Sequence, residues 1–140
     1  MKYIIATLAA ASVLSACNGA PPNEKLLTQL CTQVFEGDAR TAGMIAGDAG
    51  TDLDAFCGCF ASQTVSGESK IDLHKEILQT MVTIRTDNNF DVERTADQVE
   101  DQIESGDITG FTSEQFDDLG DVFQDLSIDI NQAGVSCPTS

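Results

Sequence analysis

Aromatic and titratable ring residues are scarce in this sequence, and their scarcity narrows what the protein can be. It contains no tryptophan, one tyrosine and one histidine. The tyrosine is Tyr3, at the extreme N-terminus. The folded core therefore has to be built from Leu, Ile, Val, Phe, Met and Ala, the residues that most often fill protein interiors.

Basic residues are scarce as well. Seven Lys and Arg stand against 23 Asp and Glu, which gives a net charge of −16. Direct binding to nucleic acid or to anionic lipid headgroups needs a basic patch, so this composition argues against both. An acidic surface favours cations, basic proteins or plain solubility.

Motifs of the common enzyme classes are absent. The sequence has no Gly-x-Ser-x-Gly, no glycine-rich phosphate loop and no His-Glu-x-x-His. The single histidine, His74, lies beside Lys75 and Glu76, which is typical of a solvated side chain. Ser66, His74 and an aspartate could be combined into a catalytic triad, but their spacing matches no known triad pattern. The sequence therefore predicts neither an enzyme nor a cofactor.

The apolar run at the N-terminus is short. Residues 3–13 are uncharged and follow Lys2, but a bilayer core takes roughly 20 apolar residues to cross. A positive residue, a short apolar segment and small residues after it are the organisation of a secretory signal. Here the small residues lead into Leu14-Ser15-Ala16-Cys17.

This segment resembles the N-terminus of a bacterial lipoprotein precursor, because Leu14-Ser15-Ala16-Cys17 matches the lipobox Leu-small-small-Cys. The resemblance implies that residues 1–16 are removed, that the Cys17 thiol carries a diacylglyceryl group, and that the new amino terminus is acylated with a fatty acid such as palmitate. Lipoproteins that are retained in the inner membrane have aspartate after the lipidated cysteine, whereas this chain has Asn18. The resemblance therefore implies a protein anchored in the outer membrane and facing the periplasm. Stable anchoring needs more than one acyl chain, which this modification supplies. The alternative is an ordinary cleaved signal with a chance cysteine.

The remaining chain predicts a lipidated tether over residues 17–23 and a single helical domain over residues 24–140. Removing Lys2 with the signal leaves six basic residues against 23 acidic ones, a net charge of −17. Gly19, Pro21 and Pro22 break any helix in the tether, so the domain is expected to start close to the membrane.

Apolar residues recur at helical spacing in five stretches, which predicts an all-α, disulfide-stapled bundle of about five helices. The stretches cover residues 24–35, 52–65, 69–85, 91–105 and 112–133. The predicted N-caps are Asn23, Thr51 or Asp52, Ser69 in a weak capping box with Asp72, Asp91, and Thr112.

Between these helices, residues 38–50 predict a short helix or an ordered loop, and residues 86–89 predict a turn. The fourth helix is the most polar, so we expect it at the edge of the fold. The clearest helix start is Thr112-x-x-Gln115, a capping box flanked by a hydrophobic staple of Phe111 and Phe116.

Four cysteines remain once Cys17 is lipidated, and an even number in an oxidising compartment predicts disulfide bonds. On a helix, Cys57 and Cys59 point about 200° apart. They cannot share a partner, and a bond between them would strain the backbone. Cys31 and Cys57 lie on apolar stripes, whereas Cys59 faces away. The sequence predicts Cys31–Cys57 and Cys59–Cys137.

Three metal sites are alternatives, one built on cysteines and two on loops that resemble an EF-hand. Cys57-Gly58-Cys59 offers two thiolates to a soft metal or to redox chemistry, with Met44 or Met81 as a further ligand. Asp87, Asn89 and Asp91 occupy positions 1, 3 and 5 of an EF-hand loop, and Asp48, Gly50 and Asp52 do the same. Both loops lack glycine at position 6 and glutamate at position 12, so helix caps and turns explain them better.

The sequence thus favours an envelope lipoprotein with a non-catalytic binding or accessory role. The expected contact surfaces are two acidic helical faces, Glu100, Asp101, Glu104 and Asp107, and Asp117, Asp118, Asp121 and Asp125. One alternative is an inhibitor or immunity-type lipoprotein that masks a basic partner by charge complementarity. Another is a metal or redox protein that uses Cys57 and Cys59. The plain interpretation of the acidic faces is solubility alone.

Overall fold

Helices make up most of the computed structural model, which describes residues 20–41, 43, 52–133 and 137. Residues 39–41 and 43 are helical, in agreement with a short helix after residue 38. The described residues contain no strand, and the protein is a small disulfide-stapled all-α bundle, as predicted. The longer helices are α1 (Pro22–Phe35), α2 (Leu53–Gly67), α3 (Ile71–Asn88), α4 (Val92–Ser105) and α5 (Ser113–Ala133).

Three predicted helix starts are confirmed by their capping bonds. The Asp52 side chain accepts from the Ala55 N–H at 2.8 Å, and the Asp91 side chain accepts from the Arg94 N–H at 2.8 Å. At α5 the capping box is reciprocal. The Thr112 N–H donates to Gln115 Oε1 at 2.9 Å and the Gln115 N–H donates to Thr112 Oγ1 at 3.2 Å. The staple rings of Phe111 and Phe116 lie 6.3 Å apart.

Two predicted starts are wrong. Helix α1 begins at Pro22, so Asn23 lies inside its first turn and the prolines start the helix where we expected them to prevent it. Proline suits the first helical position, because its missing N–H has no partner there anyway. At α3 the Ser69–Asp72 capping box does not form; Lys70 occupies the N-cap without a side-chain bond.

The predicted turn at residues 86–89 is also mostly wrong. Helix α3 continues through Asn88, and only Asn89 leaves it, in the left-handed conformation at φ +52°. Asparagine tolerates that conformation better than most residues, which makes it a usable helix end. The Asn88 side chain donates to the Ile84 carbonyl one turn earlier at 2.8 Å. Asn88 is therefore part of the helix that we expected it to end.

Helix α1 lies at the centre of the packing, against both α2 and α3, and α4 packs on the outer side of α3. Only Thr95 and Val99 of α4 are buried, which confirms its place at the edge. Helix α5 reaches α2 through Phe123, whose ring lies 4.8 Å from that of Phe60 and 6.1 Å from that of Phe56. The largest fully buried side chains include Leu27, Val34, Phe56, Phe60, Ile77, Leu78 and Leu119.

Both disulfide bonds join other parts of the chain to α2. The structure contains Cys31–Cys57, with Cα atoms 5.6 Å apart, and Cys59–Cys137, with Cα atoms 5.5 Å apart. Cys59 is buried, although the helical geometry places it away from the apolar stripe. The two bonds therefore attach other segments to different sides of α2.

One buried carboxylate, which sequence reasoning missed, ties two helix starts together. Asp38 Oδ1 accepts from the N–H groups of Arg40 at 3.1 Å and Thr41 at 3.0 Å, while Oδ2 accepts from the Val92 N–H at 2.9 Å. These bonds hold the pKa of Asp38 below its ordinary value, with the backbone N–H of Thr41 as the largest cause and that of Val92 next. Asp38 therefore caps its own short helix and α4 at once.

Candidate functional site

A groove opens between α4 and α5, with α3 and the end of α1 behind it. Its volume is about 640 Å³, within the range of roughly 300–1,000 Å³ that is common for ligand pockets. Most of its lining is apolar. The floor and walls include Phe35, Met81, Ala96, Phe116, Leu119 and Phe123.

Carboxylates stand on both sides of this groove. Glu100 projects from α4, and Asp117 and Asp121 from α5, where their i, i+4 spacing places them on one face. All three residues are exposed. No lysine or arginine is among the described residues that line the groove. The result is an apolar channel between two acidic edges.

The groove carboxylates take part in no ion pair with the part of the chain that the structure describes. Among the described residues the ion pairs are Arg40–Glu93, Lys70–Asp118 and Lys75–Asp72, and none includes Glu100, Asp117 or Asp121. Their charge is therefore directed at solvent or at a partner.

The structure brings together three of the eight acidic residues that the sequence analysis named. Glu100, Asp117 and Asp121 border one groove, although we expected them on two separate faces. Asp118 points elsewhere and pairs with Lys70 at 3.3 Å. Asp101 and Glu104 are exposed but do not line the groove, and neither do Asp107 and Asp125.

Gly120 lies in the middle of α5 and lines the groove. A Cβ added there would meet no atom within 4 Å, so packing inside the protein does not require glycine. Glycine in a helix interior costs roughly 0.5–1 kcal/mol relative to alanine. The glycine leaves bare backbone in the groove, where any longer side chain would occupy its space.

His74 is not solvated, so that prediction is wrong. Its side chain is buried, its Nδ1 lies 3.3 Å from Thr64 Oγ1, and its ring stacks on Phe60 with centroids 5.7 Å apart. The missed signal is its spacing, because positions 74, 77, 78 and 81 form one i, i+3, i+4, i+7 stripe. Ser66, the candidate nucleophile, instead donates to the Ser62 carbonyl at 2.9 Å.

The buried histidine makes stability depend on pH. Burial is the main cause that lowers the pKa of His74 from its ordinary 6.5; the charge of Lys70 lowers it further and that of Asp118 opposes. The unfolded chain therefore takes up this proton at a higher pH than the folded protein. We expect stability to be full above pH 6.5 and to fall as pH drops below it, by up to about 1.4 kcal/mol per pH unit.

Urea unfolding at pH 7.5, 6.5 and 5.5 measures this slope. His74→Gln should flatten it, because the variant has no imidazole to protonate in the unfolded state. An unchanged slope in His74→Gln would contradict the assignment to this residue.

Several described residues of the candidate metal sites have structural roles. Cys57 and Cys59 are each bonded to another cysteine, so neither offers a thiolate to a metal in this oxidised state. Asp52 and Asp91 are helix N-caps, and Asp87 lies within α3. Asp48, Gly50 and Met44 lie outside the described residues. The described residues contain no cluster of three or more His, Cys, Asp or Glu suited to a metal ion.

No protein-family model, curated protein or solved structure matches the chain. None of the helices in the described ranges is both long and apolar enough to cross a bilayer. The groove between α4 and α5 combines an apolar lining with carboxylates on both edges.

Proposed function

We propose that the protein is an envelope lipoprotein, anchored through lipid on Cys17, that binds a basic partner without catalysis. The anchor rests on the Leu14-Ser15-Ala16-Cys17 lipobox and the short apolar segment before it. The expected location is the outer membrane, facing the periplasm. In this arrangement the protein needs no spanning helix, because the acyl chains supply the membrane affinity.

The binding role is supported by an apolar groove whose edges carry carboxylates that form no ion pair with any described residue. Solubility alone is served by charges spread over the surface and does not account for an apolar channel between them. An apolar concavity with a few polar groups at its edge is typical of binding sites. With a net charge of −17 after removal of Lys2, long-range attraction favours a basic partner and speeds its association.

An inhibitor or immunity-type lipoprotein is the sharper form of the same role. Such a protein acts by covering a basic surface of its partner, and charge complementarity is the physical basis for that. The groove carboxylates Glu100, Asp117 and Asp121 are the residues we assign to this contact.

Crosslinking and purification of the lipidated protein from its own envelope tests the proposal. We expect a basic protein to be captured at low salt and lost at high salt, since exposed charge pairs are screened. Cys17→Ala should abolish labelling with a palmitate analogue and release the protein from the membrane fraction. Retained labelling would overturn the anchor, and the absence of any partner at low salt would overturn the binding role.

A further inference from the structure

We infer that the groove between α4 and α5 receives an amphipathic basic helix of the partner, with apolar side chains inserted between the acidic edges. The inference rests on the proposed binding function and names the shape and chemistry of the segment that is bound. It follows from three properties of the groove, which are its apolar floor, the placement of its carboxylates and the glycine in its wall.

The floor calls for apolar side chains. Phe35, Met81, Phe116 and Phe123 present aromatic and thioether surface to a space of about 640 Å³. A hydrophobic groove between helices is a recurrent receptor for one more helix, which lays its i, i+3, i+4, i+7 side chains into it. Met81, with its flexible thioether side chain, can adapt its surface to such side chains at little cost.

The groove carboxylates determine the sign and the position of the charges that the bound helix should carry. Because Glu100 lies on one wall and Asp117 and Asp121 on the other, a helix seated between them meets negative charge on both flanks of its apolar stripe. Lysine or arginine on each side of that stripe satisfies both walls. A second copy of this chain is a poor occupant, since it brings its own net charge of −17 and its own acidic walls.

Gly120 gives the means to close the groove without disturbing the fold. A side chain there meets no atom within 4 Å at its Cβ and extends into the space that the helix would fill. Leucine is also a far better helix former than glycine. Gly120→Leu should therefore leave the melting temperature of the free protein unchanged or higher while it occupies the site.

The test uses a soluble form in which residues 1–17 are exchanged for a cleavable export signal. Leu26 is the first residue of the described hydrophobic core. This form therefore keeps the folded domain and both disulfide bonds. The probe is a Leu/Lys peptide of about 14 residues, roughly four helical turns, with one apolar stripe. Fluorescence anisotropy compares it with a scrambled peptide of the same composition and with oligolysine.

We expect the striped peptide to bind more tightly than either control peptide, and Gly120→Leu to weaken its binding by about tenfold. Ala96→Leu, from the opposite wall, provides a second block should Gly120→Leu fail to fold. Glu100→Gln with Asp117→Asn and Asp121→Asn should weaken binding and reduce its salt dependence. The matched control is Glu104→Gln with Asp125→Asn and Asp129→Asn, which likewise removes one charge from α4 and two from α5, all outside the groove, and should have a much smaller effect.

Equal binding of the striped and scrambled peptides, equal effects of the two charge variants, or full binding by both blocked proteins would overturn the inference. Concentration-dependent self-association that Gly120→Leu abolishes would assign the groove to a second copy instead. If the envelope partner is captured by the wild type and by Gly120→Leu alike, the binding function stands and only the groove assignment fails. If no partner is captured at all, the function itself fails.

Discussion

Reduction of both disulfide bonds should unfold the domain at physiological temperature. Removal of a cross-link frees the unfolded chain, and loop-closure entropy gives about 3.5 kcal/mol for Cys31–Cys57, which spans 26 residues. The same relation gives about 4.5 kcal/mol for Cys59–Cys137, which spans 78 residues. Together these approach the whole stability of a typical small domain, roughly 5–15 kcal/mol.

The two bonds should also differ in accessibility. Cys31 and Cys57 are completely buried, whereas Cys137 is exposed. A mild reductant should therefore open Cys59–Cys137 first, because a thiolate has to reach a sulfur to attack it. The paired variants Cys31→Ala/Cys57→Ala and Cys59→Ser/Cys137→Ser separate the two contributions.

Circular dichroism against temperature, with thiol counting by alkylation and mass spectrometry, measures the outcome. Each paired variant should melt well below the wild type, and the fully reduced protein should lose most of its helical signal at 37 °C. A fully reduced protein, in which alkylation counts four thiols and which keeps the melting curve of the oxidised form, would show that the helices do not depend on these bonds.

Asp38→Ala should cost about 3 kcal/mol, more than an ordinary helix cap. The substitution leaves three N–H groups, those of Arg40, Thr41 and Val92, without their acceptor. A cap typically contributes about 1 kcal/mol and a buried unsatisfied donor costs roughly 1–3 kcal/mol. Asp38→Asn should have an intermediate effect, because its one carbonyl oxygen can serve Thr41 or Val92 but not both.

Asp52→Ala is the matched control. Asp52 is also an aspartate N-cap, but among the described residues its carboxylate accepts only from Ala55, so its loss should cost about 1 kcal/mol. Urea unfolding of the three variants compares these values. If Asp38→Ala costs no more than Asp52→Ala, the bond to Val92 contributes nothing.

The acid limb of the stability curve gives a second readout for Asp38. Its pKa lies below the ordinary 3.8 in the folded protein, so the unfolded chain protonates first as pH falls. The contribution is full above about pH 4 and is lost below it. Asp38→Asn should flatten this limb and leave the slope between pH 6.5 and 5.5, which we assign to His74, unchanged.

Local signals in the sequence predicted the helices well. The Thr112–Gln115 box, the Asp52 and Asp91 caps and the apolar stripes all act within a few residues, so the chain shows them directly. The disulfide pairing also followed from helical periodicity, since Cys57 and Cys59 point to different sides of α2. Two local predictions failed because residues that usually interrupt helices are accommodated at helix ends. Pro22 is the first residue of α1, and Asn88 lies in the last turn of α3.

Features that join distant segments were not predictable in the same way. Asp38 and Val92 are 54 residues apart. No local sequence pattern around either residue predicts the hydrogen bond between them. The groove combines Phe35, Met81, Glu100 and Asp121 from four helices, so the acidic residues could be named but their common apolar floor could not. His74 was misjudged because its charged neighbours were weighed above its place on the apolar stripe.

The two disulfide bonds have one further consequence, for cleavage by proteases. They divide the chain into two covalent rings, residues 31–57 and 59–137, joined at Gly58. A single cut inside either ring opens it but releases no fragment. A nicked molecule keeps the mass of the intact chain, increased by one water, until it is reduced, and every piece remains connected to whatever holds its N-terminus.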